Sequence, residues 1–352
     1  MKLHWKAFPT VPLLILFGFF LSLECFSAPS SDVTYEDIKA INATCKGLDS
    51  CELPKRENAH EHCNCGSSCS LLGTCCVDSK FRNNYVVPLK NVECAFNIYD
   101  KKHRYVPMIS SCDPDMQSDE TNRKLCNSTA EELNDPFLKI PVTDPVTGIS
   151  YRNYYCFACN RNYGEEQPIP WNFKIQSGCI RKPFLTNNTI PPLRYDSYKK
   201  TWVMDYDDKM SIDVFLNTTI PEELKNVTPY CYNHHIVSEC DSEWTDDDIE
   251  KKCLSYMALA RIISSDGFSI KYYRNPHCAI CNYESIDNLM CLVTEEIYGW
   301  KDWKTDILLV KLFSLQDKTT KCDDNMIYDH FSKKCRRIYK SRRRGGDRLI
   351  GG

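Results

Sequence analysis

A chain of 352 residues with a formal net charge of −3 and 22 cysteines has room for more than one folding unit and carries no global basic field. That balance argues against a general nucleic-acid binder, and so many half-cystines argue against a protein of the reducing cytosol. Beyond residue 27, the stretch nearest to a bilayer span is Asp306 to Leu315, which Lys311 interrupts.

The chain opens with Lys2 and Lys6, an apolar run from Val11 to Leu21, and small residues at Ser27 and Ala28. This order predicts a secretory signal peptide over residues 1–27, cleaved after Ser27, with Cys25 and Ser27 at the −3 and −1 positions. The expected location is therefore secreted or extracellular. Five sequons, at Asn42, Asn127, Asn187, Asn217 and Asn226, predict a glycosylated surface; Pro229 weakens the last of them.

Residues 41–92 hold the densest cysteines: Cys45, Cys51, Cys63, Cys65, Cys69, Cys75 and Cys76. A segment this short buries too little apolar surface to fold unaided, and each bridge adds about 2–4 kcal/mol. His60, His62, Cys63 and Cys65 are zinc-donor types, but in an oxidising compartment disulfides are the expectation, so no metal or other cofactor is assigned. From Cys63 to Asp78 the chain reads C-x-C-x3-C-x5-C-C-x-D, which resembles the core of a somatomedin B domain. Cys45 and Cys51 are spaced more widely than that family's first pair, and its eighth half-cystine is either Cys94 or absent. Connectivity stays open. The resemblance implies a disulfide knot that shows a small face to protein partners. The segment from Cys69 to Asp78 would make the contacts, with Leu71 and Leu72 either exposed anchors or padding of the knot.

Further on the chain repeats itself. Tyr151-Arg-Asn-Tyr-Tyr-Cys-Phe-Ala-Cys-Asn160 matches Tyr273-Arg-Asn-Pro-His-Cys-Ala-Ile-Cys-Asn282 at six of ten positions. Upstream of each copy a helix is expected, N-capped by Ser118 or Thr245, with acids such as Asp246, Asp247 and Asp248 in its first turn. A hairpin should follow, turning at Asp144–Gly148 or Ser265–Gly267, with its second strand running into the CxxC. The cysteines fall into the order Cys94, Cys112, Cys126, Cys156, Cys159, Cys179 and again Cys231, Cys240, Cys253, Cys278, Cys281, Cys291. Alternation over Trp202 to Leu216 predicts a further hairpin closing the first copy, with Trp303 to Leu315 its counterpart. Cys322 and Cys335 look like the opening pair of a third, unfinished copy, and the basic run Lys333 to Arg344 like a solvated tail.

The expected fold is thus a small disulfide-rich knot (41–92) followed by tandem disulfide-rich α+β repeat domains, each of hairpins plus a short helix (93–230 and 231–318), and an incomplete third repeat with a basic tail (319–352). A knot followed by such repeats resembles the ectodomains of arthropod adhesion and Methuselah-like G protein-coupled receptors. That resemblance implies recognition of an extracellular protein ligand. The bundle of membrane helices such receptors carry is missing here, which suggests a truncated form, a soluble relative or an incomplete gene model.

No catalytic chemistry is expected. Both CxxC pairs lie among other half-cystines, follow strand-like approaches and lack the Trp-Cys-Gly-Pro-Cys arrangement of thioredoxin. No H-E-x-x-H, G-x-S-x-G or P-loop pattern occurs, and His234-His235 reads as a solvated pair. Three roles remain: a ligand-binding ectodomain, an adhesive or structural secreted glycoprotein, and a secreted enzyme. Losing Cys25 with the leader leaves an odd number of cysteines. The odd sulfur is expected in or beside the knot, either as Cys112 or as a member of the Cys45–Cys51 pair, and would permit a disulfide-linked dimer. Cleavage before Cys25 would restore an even count.

Overall fold

Short, cysteine-rich segments with few long apolar runs give short elements. The structure, a computed structural model, describes residues 33–54, 61–82, 89–96, 105–114, 118–160, 167–177, 192–207, 210–263, 269–291, 306–310, 322, 326–329 and 334–337. The leader, His60, Cys179, Asn187, the Ser265–Gly267 turn, Trp303 and most of the basic run lie outside these residues.

Helix α1 (Tyr35–Ala40) starts where the Asp37 carboxylate accepts from the Thr34 N–H at 2.7 Å and its hydroxyl at 2.8 Å. Three bridges then knot the next segment: Cys51–Cys65, Cys63–Cys76 and Cys69–Cys75. Within it, helix α2 (Cys69–Leu72) stops at Gly73, whose φ of 66° suits glycine. Asp78 ties the knot's two ends, accepting from Ser50 Oγ at 2.5 Å, Cys51 N at 2.9 Å and Glu52 N at 3.2 Å.

The first sheet takes strands β1 (Val92–Phe96) and β2 (Tyr105–Ile109). After helix α3 (Glu120–Asn127) come β3 (Val142–Thr143) and β4 (Ser150–Tyr151). Helix α4 (Tyr154–Asn160) and β5 (Ile169–Pro170) complete the segment. The strand order is β1-β2-β4-β3-β5, parallel only between β2 and β4. The Asp144–Gly148 turn forms where expected: Asp144 accepts from Val146 N at 3.0 Å and Thr147 Oγ1 at 2.9 Å. Gly148 sits at φ 71°, and a Cβ there would strike the carbonyl of Val227.

An antiparallel meander follows, with β6 (Asn172–Ser177), β7 (Leu193–Asp196), β8 (Thr201–Asp207) and β9 (Met210–Thr219). The β8–β9 pair is the hairpin expected from Trp202 to Leu216; Trp202 lies opposite Val214, and both are buried. Then β10 (Ile236–Val237), α5 (Asp247–Ser255), β11 (Ala260–Ile263), β12 (Ile270–Tyr273), α6 (Pro276–Ile280) and β13 (Leu289–Met290) build a second sheet, ordered β10-β12-β11-β13. Its senses match the first: β10 runs parallel to β12, and β11 is antiparallel to β12 and β13. Thus β10, β12, β11 and β13 stand where β2, β4, β3 and β5 stand in the first sheet.

Three expectations need correction here. Both helices start one residue later than read: Asp119 caps α3, accepting from Thr121 N, and Asp246 caps α5, accepting from Asp248 N and Ile249 N. Ser, Thr and Asp cap comparably, so adjacent candidates are separated only by the turn that brings Cys126 or Cys253 inward. Of the Trp303–Leu315 hairpin only strand β14 (Asp306–Val310) lies within the described residues, and it pairs with β6 at the edge of the meander, ordered β14-β6-β9-β8-β7, instead of closing the second segment's sheet. Finally, Cys322 and Cys335 bond to each other around the hairpin of β15 (Met326–Asp329) and β16 (Lys334–Arg337), unlike the opening cysteines of the two longer segments.

Candidate functional site: two CxxC stations and a docked knot

Each Tyr-Arg-Asn-x-x-Cys-x-x-Cys-Asn stretch packs one polar residue of every kind into a fixed job. Asn153 is fully buried; its Oδ1 accepts from Tyr155 N and Cys156 N at 3.0 Å, while its Nδ2 donates to Leu125 O at 3.3 Å. Asn275, also fully buried, accepts from Cys278 N at 3.0 Å and donates to the carbonyls of Cys253 at 2.7 Å and Tyr256 at 2.9 Å. The arginines reach back to the preceding helix: Arg152 donates to Cys126 O, and Arg274 Nε to Tyr256 O at 3.0 Å. The closing asparagines donate to the first CxxC carbonyl, Asn160 to Cys156 O and Asn282 to Cys278 O, both at 2.8 Å.

The cysteine chemistry follows. Cys156 and Cys159 lie in α4, Cys278 lies in α6 and Cys281 caps its end, and neither pair is bonded internally. Cys156 bonds to Cys126 on α3 and Cys278 to Cys253 on α5, while Cys159 bonds to Cys112 and Cys281 to Cys240. The sulfur triplets Cys112, Cys126, Cys159 and Cys240, Cys253, Cys281 each lie within 4.8 Å, but they belong to neighbouring disulfides and offer no thiolate to a metal. The same holds for Cys63 and Cys65 beside buried His62.

Two bridges cross the expected boundaries at 92/93 and 230/231. Cys94 bonds to Cys231 and Cys45 to Cys291, joining residues 246 positions apart. Every cysteine of the knot region is therefore paired, and Cys112 too has its partner in Cys159, so the odd sulfur is not in or beside the knot. Ten disulfides use all but Cys25 and Cys179, both outside the described residues.

The knot faces inward. Met257 N donates to Cys75 O at 2.8 Å, Leu259 N to His62 O at 3.0 Å, and Arg274 reaches Gly73 O at 2.9 Å. Burial lowers the Arg274 pKa. Tyr230 and Tyr232 both donate to Glu61 O. Cys63 and Cys76 pack on Met257 and Leu259, and Val77 on Tyr256 and Ala258. Leu71 and Leu72, considered as exposed anchors, are half-buried against the first sheet's core. A knot with almost no interior gains burial by docking, so the apolar surface of Cys69–Asp78 meets its own chain.

His277 is buried at 2% exposure, and its Nδ1 lies 2.8 Å from the Tyr256 hydroxyl. Burial, helped by Lys252, depresses its pKa to about 4 despite Asp37 and Asp248. The unfolded chain therefore binds this proton more readily, and stability falls as pH drops from the unfolded value near 6.5 towards 4. The loss expected from this group is about 2–3 kcal/mol. Denaturant titrations at pH 7 and pH 4.5 should show a smaller loss in His277→Gln than in the natural chain. Equal losses in the two proteins would refute the assignment.

Other residues fall elsewhere. Arg336, within the run expected to be a solvated tail, docks β16 on the first segment: it pairs with Asp135 at 2.5 Å and with buried Asp329, and lies over the Phe137 ring. Burial opposes its charge, but the two carboxylates prevail and raise its pKa. Nothing in a basic run marks one arginine for burial, so no sequence signal was present. His234 stacks on Tyr272 with ring centroids 4.3 Å apart. Asn42, Asn127 and Asn226 are exposed, whereas Asn217 is half-buried on β9 beside Gln176. No helix among the described residues is long and apolar enough to cross a membrane.

Fold and bridges together define a disulfide-stapled, mixed α/β protein of small sheets. The chain belongs to a family of unknown function (DUF8401), whose model matches residues 107–335, from β2 to β16 and so excluding the knot. No curated protein and no solved structure matches it.

Proposed function

We propose that this chain is an extracellular glycoprotein that recognises a protein ligand, in the manner of a receptor ectodomain, and that it is not an enzyme. The observation that carries this reading is the splitting of both CxxC pairs into separate disulfides, which leaves no reactive sulfur among the described residues. Ten bridges favour an oxidising compartment. The leader and the exposed Asn42, Asn127 and Asn226 support secretion with N-glycans. We further read the two CxxC segments as copies of one unit, because strand order, capping asparagine and bridge pattern correspond. The N-terminal segment is read as a somatomedin B-like knot from its C-x-C-x3-C-x5-C-C-x-D pattern.

Expression in animal cells tests the reading. The protein is expected in the medium, with a mobility that increases after treatment with a glycosidase specific for N-linked chains. Cytosolic retention of an unshifted band would overturn it, and so would insulin-reducing activity that depends on Cys156 or Cys278.

A further inference from the structure

We propose that Trp244 and Tyr283 form a recognition face for a cationic polypeptide segment, one carrying Lys or Arg; this rests on the extracellular binding role above and narrows it to one surface. Helix α6 ends with Tyr283 N donating to Ile280 O at 2.9 Å and Glu284 N to Ala279 O at 3.0 Å. Tyr283 is left-handed there, at φ 62°, where chains ordinarily place glycine or asparagine. Its ring is 65% exposed and meets Trp244 edge-on, with centroids 5.4 Å apart. Trp244 is half-buried, and its indole N–H is already used by Asp246 O at 3.0 Å, so only ring surface remains for a ligand.

Backbone contacts assemble the surroundings. Asp241 N donates to Cys281 O at 3.2 Å, Asn282 Nδ2 to Glu239 O at 2.9 Å, and Trp244 N to Asp241 O at 3.0 Å. These hold the loop from Glu239 to Asp246 against the end of α6. Between Glu239 and Glu250 the sequence has seven exposed acids and no base; Lys252 pairs with one of them, Asp248, at 2.7 Å, which leaves the acids in excess. Aromatic faces attract Lys and Arg cations, and an acidic surround draws them in while repelling phosphates and anionic surfaces.

Trp244 also packs against the core of its own segment, but the bridged scaffold does not require an exposed Tyr283. With Asp119 aligned on Asp246 and Asn160 on Asn282, the first segment carries Gln117 and Arg161 at the positions of Trp244 and Tyr283. The corresponding bridges and strand pairings are built there without the two aromatics. An aromatic residue held in a glycine conformation and left exposed is thus placed for something other than folding.

Tyr283→Gly separates the two roles, since glycine suits the backbone while deleting the ring. Calorimetric titration of the secreted full chain with a short synthetic Lys/Arg-rich peptide should show binding that weakens as salt is raised. Tyr283→Gly should bind about tenfold more weakly, with an unchanged or raised melting temperature, and Trp244→Ala at least as weakly. A matched Glu-rich peptide should not bind. Absence of binding to the folded natural chain, equal binding by Tyr283→Gly, or preference for the Glu-rich peptide would overturn the proposal. If the chain is nonetheless secreted and glycosylated, only this surface assignment fails; if it stays in the cytosol, the extracellular role fails as well.

Discussion

Asn275→Asp is expected to destabilise the protein by about 3–5 kcal/mol, although the change replaces one amide by an isosteric carboxyl. Asn275 is fully buried and uses both ends of its amide. The acceptor end caps α6 at Cys278 N, a role aspartate could keep. The donor end serves the carbonyls of Cys253 and Tyr256, and more distantly Lys252. A carboxylate there would lose the donor that serves these carbonyl oxygens and set its own oxygens against them, or take up a proton at a cost in pKa. Asn153→Asp should act in the same direction through Leu125 O. Asn282→Asp should cost less, because that side chain bonds partly at the exposed surface. Thermal unfolding of the secreted variants, or secretion yield where a variant fails to fold, reads the order. Asn275→Asp matching the natural chain would remove the donor role from the account.

Replacing Cys45 and Cys291 together by serine should cost about 3–5 kcal/mol, the upper part of the range for a disulfide. This bridge joins residues 246 apart, whereas Cys69–Cys75 joins residues 6 apart. Loop entropy grows with the logarithm of length, so the longer closure restricts the unfolded chain more, although Cys94–Cys231 already takes part of that freedom. The knot keeps its contacts with Met257, Leu259 and Arg274, so the variant should fold with a lowered melting temperature. It should also expose the segment around α1 to protease earlier than the natural chain. Unchanged melting and proteolysis would mean that docking alone holds the knot and that the bridge adds nothing.

Local patterns were legible in the chain itself. The repeated Tyr-Arg-Asn-x-x-Cys-x-x-Cys-Asn stretch, the acidic helix starts, the Asp144–Gly148 turn and the Trp202–Leu216 hairpin each depend on residues within about one turn or one strand pair of each other. Their chemistry is short-ranged, so composition and spacing specify them. Even the shift from Ser118 to Asp119 and from Thr245 to Asp246 stays within one residue. The repeat also marked Asn153 and Asn275 as positions of interest, although their buried donor contacts could not be read from spacing.

Bridge partners, the knot's orientation and the place of single side chains were decided only in three dimensions. Cysteine spacing is compatible with many pairings, and Cys45–Cys291 and Cys94–Cys231 join residues 246 and 137 positions apart. Leu71 and Leu72 turn towards the first core because a knot this small gains more by docking than by facing water. Arg336 leaves its basic run because Asp135, 201 positions away, and the nearby Phe137 ring meet it beside its hairpin neighbour Asp329. Short-range spacing was enough to specify the two CxxC stretches, their helix starts and the richness in half-cystines. Which surfaces those units bury against one another depended on contacts across hundreds of residues, where no local periodicity carries the information.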